Sequence, residues 1–207
     1  RYYLYFAHHK GSEIRLAYAD DPAGPWTVHP SGSLTLKNSF FAQQPPQNST
    51  LDTLLSLYGT VSSTEFWPLL RVGLQTRRDY REMAAGETPG NVEQQPHIAS
   101  PDVIVDHELG EIRLYYHGLC SDTTQFSRVA FSSDGIHFMA LPKRLTAPYL
   151  RVFILRGITY GIAMPGLLYR SPDGIRDFEV RPRPLADINM RHTGLWLDGE
   201  TLYVFWT

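Results

Sequence analysis

Apolar residues along this chain come in short runs rich in Tyr, Phe and Val, each broken by Gly, Pro or Asp. That pattern predicts β-strands joined by tight turns. The runs recur in a fixed order: a Tyr-rich run, a run with a basic residue near its start, a Gly-containing turn, then an aromatic. Residues 2–26, "YYLYFAHHKGSEIRLAYADDPAGPW", form the first copy, and residues 112–138, "IRLYYHGLCSDTTQFSRVAFSSDGIHF", the second. A third, "ITYGIAMPGLLYRSPDGIRDF", spans 158–178, and a fourth opens at 201–207 with "TLYVFWT".

Tyr115, Tyr160 and Tyr203 stand 45 and 43 residues apart. Four-stranded propeller blades repeat at about 40–50 residues. Each blade is a small sheet that cannot bury both faces alone, so neighbours stack around a channel. The expected fold is therefore an all-β propeller, with about three and a half blades in this chain. An arc of that size leaves unpaired strand edges at its ends, an aggregation hazard if it stands alone. In "SSDGIHF" and "SPDGIRDF" a Ser is followed two residues later by Asp and then Gly. The Asp side chain can bond backbone N–H groups across a turn in which Gly takes positive φ. These segments resemble the Asp-box turns of sialidase-like propellers, and their expected role is structural.

The spacing breaks once, because Tyr3 and Tyr115 are 112 residues apart. The favoured explanation is a loop-rich insertion over 37–95, with Pro45-Pro46 and Pro89-Gly90 as its loop signals. The alternative is a degenerate extra blade, with strands in "LLSLYGT" and "LLRVGLQTRRDYREM"; a misread coding segment would look the same. Both readings leave one propeller domain over 1–207.

Composition narrows the partners. A net charge of −2 over 207 residues gives no electrostatic case for nucleic acid or an anionic membrane. No apolar run approaches the roughly 20 residues of a membrane helix. The single cysteine, Cys120, excludes an intrachain disulfide. Arg1 opens and Thr207 closes the chain inside predicted strands, so it reads as a fragment, and neither its compartment nor any protein partner is legible. Asn48 begins a glycosylation sequon, which matters only in a secreted chain.

The innermost strand of each blade lines the channel and precedes the Tyr-rich strand. That assigns "HIASPDVIVD", "APYLRVFIL" and "NMRHTGLWLD" to the channel; the equivalent strand of the first copy is missing. Each begins with ionisable residues, which are costly beside a buried channel unless paired or used. Asp102 and His192 are the candidate catalytic residues. His97, Ser100, Arg151, Arg191, Thr193 and His9 are the candidate ligand-binding residues. The competing reading is a structural salt-bridge network of Asp102 with the two arginines. Glycoside hydrolysis needs two carboxylates about the scissile bond, and only Asp102 can be placed; Glu13, Glu108, Glu111, Glu179 and Glu200 fall in turns or outer strands. Arg151 and Arg191 suit a carboxylate or phosphate on the ligand. His8 and His9 are adjacent on a strand and point to opposite faces, so no zinc site is expected; nothing in the sequence requires a cofactor, and none is expected.

"YYLYFAHHKGSEIRLAYADDPAGPW", "HIASPDVIVD", "YLRVF" and "MRHTGLWL" resemble a group of mostly uncharacterised relatives of the five-bladed propeller glycoside hydrolases, families 43, 32, 62 and 68 in the broad sense. The resemblance covers residues 1–36 and about 96–207. It implies a five-bladed propeller with a carbohydrate substrate and a funnel of three carboxylates. "SPDV" is similar to the second-blade motif of that group, which would make Asp102 the carboxylate that orients substrate and tunes pKa. The first-blade Asp would lie upstream of Arg1. Where the acid Glu would be sought stands Arg151, a departure that counts against family-43-type hydrolysis. An acidic sugar such as a uronate suits the arginines better than arabinose or xylose. The expected activity is that of a glycosidase, and the alternatives are a catalytically silent carbohydrate-binding propeller or a protein-interaction scaffold.

Overall fold

A computed structural model describes residues 1–8, 11–44, 95–121, 124–186 and 188–207. His9, the Asn48 sequon and most of the expected insertion lie outside them. Among the described residues the chain is all-β, with one 3₁₀ turn at Leu36–Asn38 and no α-helix. The first sheet holds β1 (Tyr2–Ala7), β2 (Glu13–Ala19), β3 (Thr27–Val28) and β4 (Leu34–Thr35), the last two both pairing with β2. The second runs in the order β5 (Ile98–Asp106), β6 (Glu111–Leu119), β7 (Gln125–Ser132) and β8 (Met139–Ala140). The third runs likewise through β9 (Arg151–Leu155), β10 (Ile158–Ala163), β11 (Leu167–Ser171) and β12 (Glu179–Val180). A fourth consists of β13 (Gly194–Asp198) and β14 (Thr201–Phe205). All pairings are antiparallel.

Side chains alternate across a strand, and β6 uses both of its faces. Leu114 and Tyr116 enter one core cluster with Ile14, Leu34 and Ile98, between the first and second sheets. Tyr115, between them in sequence, enters another with Val129, Val152 and Tyr169, between the second and third sheets. The second sheet is thus covered on both faces. Each fully buried large apolar side chain contributes about 1.5–3 kcal/mol of transfer free energy. The stacked sheets bring their first strands together, β5 against β9 and β9 against β13.

The two Ser-Asp-Gly turns are built alike. Ser132 Oγ accepts the Gly135 N–H at 2.9 Å, and Asp134 Oδ1 accepts the N–H groups of Ile136 and His137. Ser171 Oγ accepts the Gly174 N–H at 2.9 Å, and Asp173 Oδ1 accepts those of Ile175 and Arg176. Both glycines have φ of +72°, a conformation glycine adopts without penalty. Each turn is also bolted to the preceding sheet. The Tyr5 hydroxyl donates to the Gly135 carbonyl at 2.6 Å, and the Tyr115 hydroxyl to the Gly174 carbonyl at 3.0 Å. Tyr5, not Tyr3, is therefore the counterpart of Tyr115 in the first copy.

The residues that follow Lys37 still pack on the sheets. Phe41 belongs to the core between the first two sheets, and the Tyr116 hydroxyl donates to the Ser39 carbonyl. The Ala42 N–H donates to the Leu119 carbonyl at 2.8 Å. The packed body continues through Ala42.

Candidate functional site

The starts of β5, β9 and β13 meet at one mouth, and the same backbone device recurs at each. Ser100, Tyr149 and His192 have φ of 53°, 64° and 48°. They stand two residues ahead of Asp102, Arg151 and Gly194 respectively. Left-handed backbone costs a non-glycine residue about 1–2 kcal/mol, and it persists where its surroundings over-determine it, often at binding sites. On β5 the device coincides with a register shift between Ala99 and Asp102. Bulges of this kind re-aim the side chains that follow.

Asp102 crosses from the second sheet to the third. Its Oδ2 accepts the Val152 N–H at 2.7 Å. Part of the residue's surface stays open, but the carboxyl group is enclosed. Burial pushes its pKa up, opposed by the charge of Arg151 and the Val152 N–H. Arg151 crosses the other way, donating from Nη1 to the Ser100 carbonyl at 3.0 Å and to the Leu150 carbonyl at 3.1 Å. Burial pushes its guanidinium pKa down, opposed by Asp102 and Tyr149. The two charges feel each other without forming an ion pair; each is bonded to backbone instead. Of the salt-bridge network considered from the sequence, the Asp102–Arg151 ion pair is not formed; Arg191 donates from Nη2 to the Tyr149 hydroxyl.

A column of rings joins the mouth to the core. His97 is buried, and its Nδ1 donates to the Gln95 carbonyl at 2.7 Å. Its ring lies 5.8 Å from that of His117, which lies 4.2 Å from that of Tyr149. Tyr149 in turn meets the exposed His192 at 4.7 Å, edge to face. The Arg191 guanidinium sits over the Tyr149 ring, 4.8 Å from its centre. Thr193 is buried, and its hydroxyl has no hydrogen-bond partner among the described residues. Leaving such a group unsatisfied costs about 1–3 kcal/mol.

The structure thus gathers His97, Ser100, Asp102, Arg151, Arg191 and His192, with Thr193 beside them. His9 lies outside the described residues. Sequence reasoning missed His117 and Tyr149. Tyr149 carried one signal: it stands two residues before Arg151, as Ser100 stands before Asp102. Glu13, Glu111, Glu179 and Glu200 pair with Arg15, Arg113, Arg170 and Arg156. Among the described residues no group of His, Cys, Asp and Glu could hold a metal ion, and no helix is long and apolar enough to cross a membrane.

No family model matches the chain. An uncharacterized protein of Acanthamoeba polyphaga mimivirus is 27% identical over 223 aligned residues, which take in 100% of this chain and 51% of the relative. The chain therefore spans about half the length of the curated relative it matches. Among solved structures, an α-L-arabinofuranosidase of Clostridium thermocellum from glycoside hydrolase family 43 superposes with a TM-score of 0.56 at 17% identity, over 99% of this chain and 56% of the enzyme. A family 43 β-1,3-galactosidase solved with galactodeoxynojirimycin superposes at 0.41 and 14% identity, over 83% of this chain and 48% of the enzyme. At 17% identity the likeness to the arabinofuranosidase is one of architecture: the stacked antiparallel sheets share its β-propeller fold.

Proposed function

We propose that the protein binds a carbohydrate, an acidic sugar, where β5, β9 and β13 begin, in a propeller of five blades related to the glycoside hydrolases. The observation that carries this reading is one enclosed carboxylate, Asp102, within reach of Arg151's charge, with Arg191 and His192 at the rim. Asp102 orients the sugar, and Arg191 presents its guanidinium to the carboxylate of a uronate. Ser100 and His97 shape the floor, and Arg151 ties the Ser100 turn to β9. Cleavage by this site requires a second carboxylate at the mouth. The described residues supply one, so binding is the better supported half of the proposal. Calorimetric titration with galacturonate and with galactose tests it. Galacturonate should bind at least about tenfold more tightly, as a charged hydrogen-bonded pair allows. Arg191→Ala should erase that preference, and Asp102→Asn should weaken both sugars. Equal binding of the two sugars, or none, overturns the reading. Reducing-end release from an oligogalacturonide reports whether cleavage accompanies binding.

We also infer that the segment between Ala42 and His97 is an insertion in one domain. Leu119 supports the inference from both sides: its carbonyl accepts the Ala42 N–H, and its own N–H donates to the His97 carbonyl at 3.4 Å. The chain leaves and rejoins the sheets at a single residue. Joining Gln44 to Gln95 through four Gly/Ser residues should leave a cooperative unfolding transition, shifted by no more than about 2 kcal/mol. Loss of that transition would show that the segment belongs to the fold.

A further inference from the structure

We infer that Tyr149 is a positioning residue: it holds Arg191 and His192 in place at the mouth and so sets the preference for an anionic ligand. The inference rests on the binding site proposed above, but its physical basis stands apart from any ligand. Tyr149 lies on the approach to β9, whereas Arg191 and His192 lie on the approach to β13. Among the described residues no strand of the third sheet pairs with one of the fourth. The Met190 N–H ties the approach to β13 to the Pro165 carbonyl at 3.1 Å, and Tyr149 adds a side-chain link between the two approaches. Its hydroxyl accepts from Arg191 Nη2, its ring carries the guanidinium at 4.8 Å, and it meets the His192 ring edge to face at 4.7 Å. Behind it, His117 backs the ring at 4.2 Å.

The backbone explains why a tyrosine can do this from that position. With φ of 64°, Tyr149 turns its side chain out of the course that an extended residue would follow. The ring is buried at 5% exposure although the residue belongs to the rim. His192, in the same left-handed conformation, turns to meet it. Two unfavourable backbone conformations thus face each other across a sheet boundary, joined by a ring contact. An arginine fork is planar, and it must be held in plane to receive a carboxylate in bidentate fashion. The Tyr149 hydroxyl that accepts from Nη2, with the ring centre 4.8 Å from the guanidinium carbon, supplies that restraint. A flexible rim arginine would lose affinity to side-chain ordering on binding.

A double-mutant cycle with Tyr149→Phe and Arg191→Lys, read by two methods on the full chain, tests the inference. Tyr149→Phe keeps the ring and removes the acceptor; Arg191→Lys keeps the charge and removes the fork. For galacturonate each single change should weaken binding about tenfold, and the pair together little more than either alone. Galactose affinity should fall less than galacturonate affinity in each variant. If the losses multiply, or galactose weakens equally, Tyr149 has only a structural role. The second readout needs no sugar: ¹⁵N relaxation of the Arg191 side chain should show it ordered in the parent protein and mobile in Tyr149→Phe. If the parent binds neither sugar, the binding site fails as proposed, and relaxation alone decides the positioning role. An Arg191 side chain equally ordered with and without the Tyr149 hydroxyl overturns it.

Discussion

The two Ser-Asp-Gly turns and the three strand starts at the mouth are both repeated features, yet they repeat different things. The turns repeat chemistry: the same serine and aspartate acceptors, the same glycine φ of +72°, the same tyrosine hydroxyl arriving from the sheet before. The strand starts repeat only backbone shape, a left-handed residue at Ser100, Tyr149 and His192, while the side chains differ in size, charge and partner. A position that must perform the same structural task in every sheet keeps its chemistry. A position that keeps its shape and varies its chemistry is free to build something asymmetric, as a ligand site must be.

The strongest way to break the comparison is at a turn. A Cβ at Gly174 would stand 2.7 Å from the Tyr115 hydroxyl and 3.1 Å from Thr159 Cγ2. Gly174→Ala combines left-handed strain with overpacking at the seam between the second and third sheets, and should cost about 3 kcal/mol. Gly110 provides the control: φ is 61° and nothing lies within 4 Å of its Cβ position. Gly110→Ala should cost only the strain, about 1 kcal/mol. Urea unfolding of both variants decides; equal losses would mean that the tyrosine bolt contributes nothing.

At the mouth the expected effect is smaller, because the bonds are fewer. Asp102→Ala removes the acceptor of the Val152 N–H and the carboxylate near Arg151, and should cost about 2 kcal/mol. Asp102→Asn keeps an acceptor and discards the charge, so it should be markedly less harmful to the fold. If the two variants are equally unstable, the charge and not the hydrogen bond holds β5 to β9.

How much of this was legible follows the same division. The turns could be read because their chemistry is local: Ser171, Asp173 and Gly174 satisfy one another within a few residues. The strands facing the mouth could be read because ionisable residues open apolar runs in "HIASPDVIVD" and "NMRHTGLWLD". The first tyrosine was misaligned by two positions, since Tyr3 and Tyr5 have the same place in the alternation. Only the hydroxyl reaching Gly135, 130 residues further along, tells them apart. His117 and Tyr149 were illegible for a related reason. Their roles depend on ring contacts among three sheets and on a left-handed backbone that no tyrosine or histidine advertises.

The smallest effect separates the two regions by sign. Asp134 lies below the ordinary carboxylate range, held there first by the His137 side chain and then by the N–H groups of His137 and Ile136. On Asp173 burial works upward, but the N–H groups of Ile175 and Arg176 and the Arg176 guanidinium together bring it below that range. Both carboxylates therefore contribute stability that is present above their unfolded pKa and lost as pH falls through the folded one. Asp102 is displaced upward by burial, so its contribution runs the other way: full below the unfolded pKa, and lost as pH rises through the folded pKa. Urea unfolding from about pH 3 to pH 7 should show this when each Asn variant is subtracted from the parent. The parent's advantage over Asp134→Asn should grow as pH rises through the acid end of the range. Its advantage over Asp102→Asn should shrink as pH rises above the ordinary carboxylate value. Two differences of the same sign would mean that Asp102 is one more turn-like acceptor. Opposite signs mean that the mouth retains a buried charge at a cost to stability, which a purely structural strand has no reason to keep.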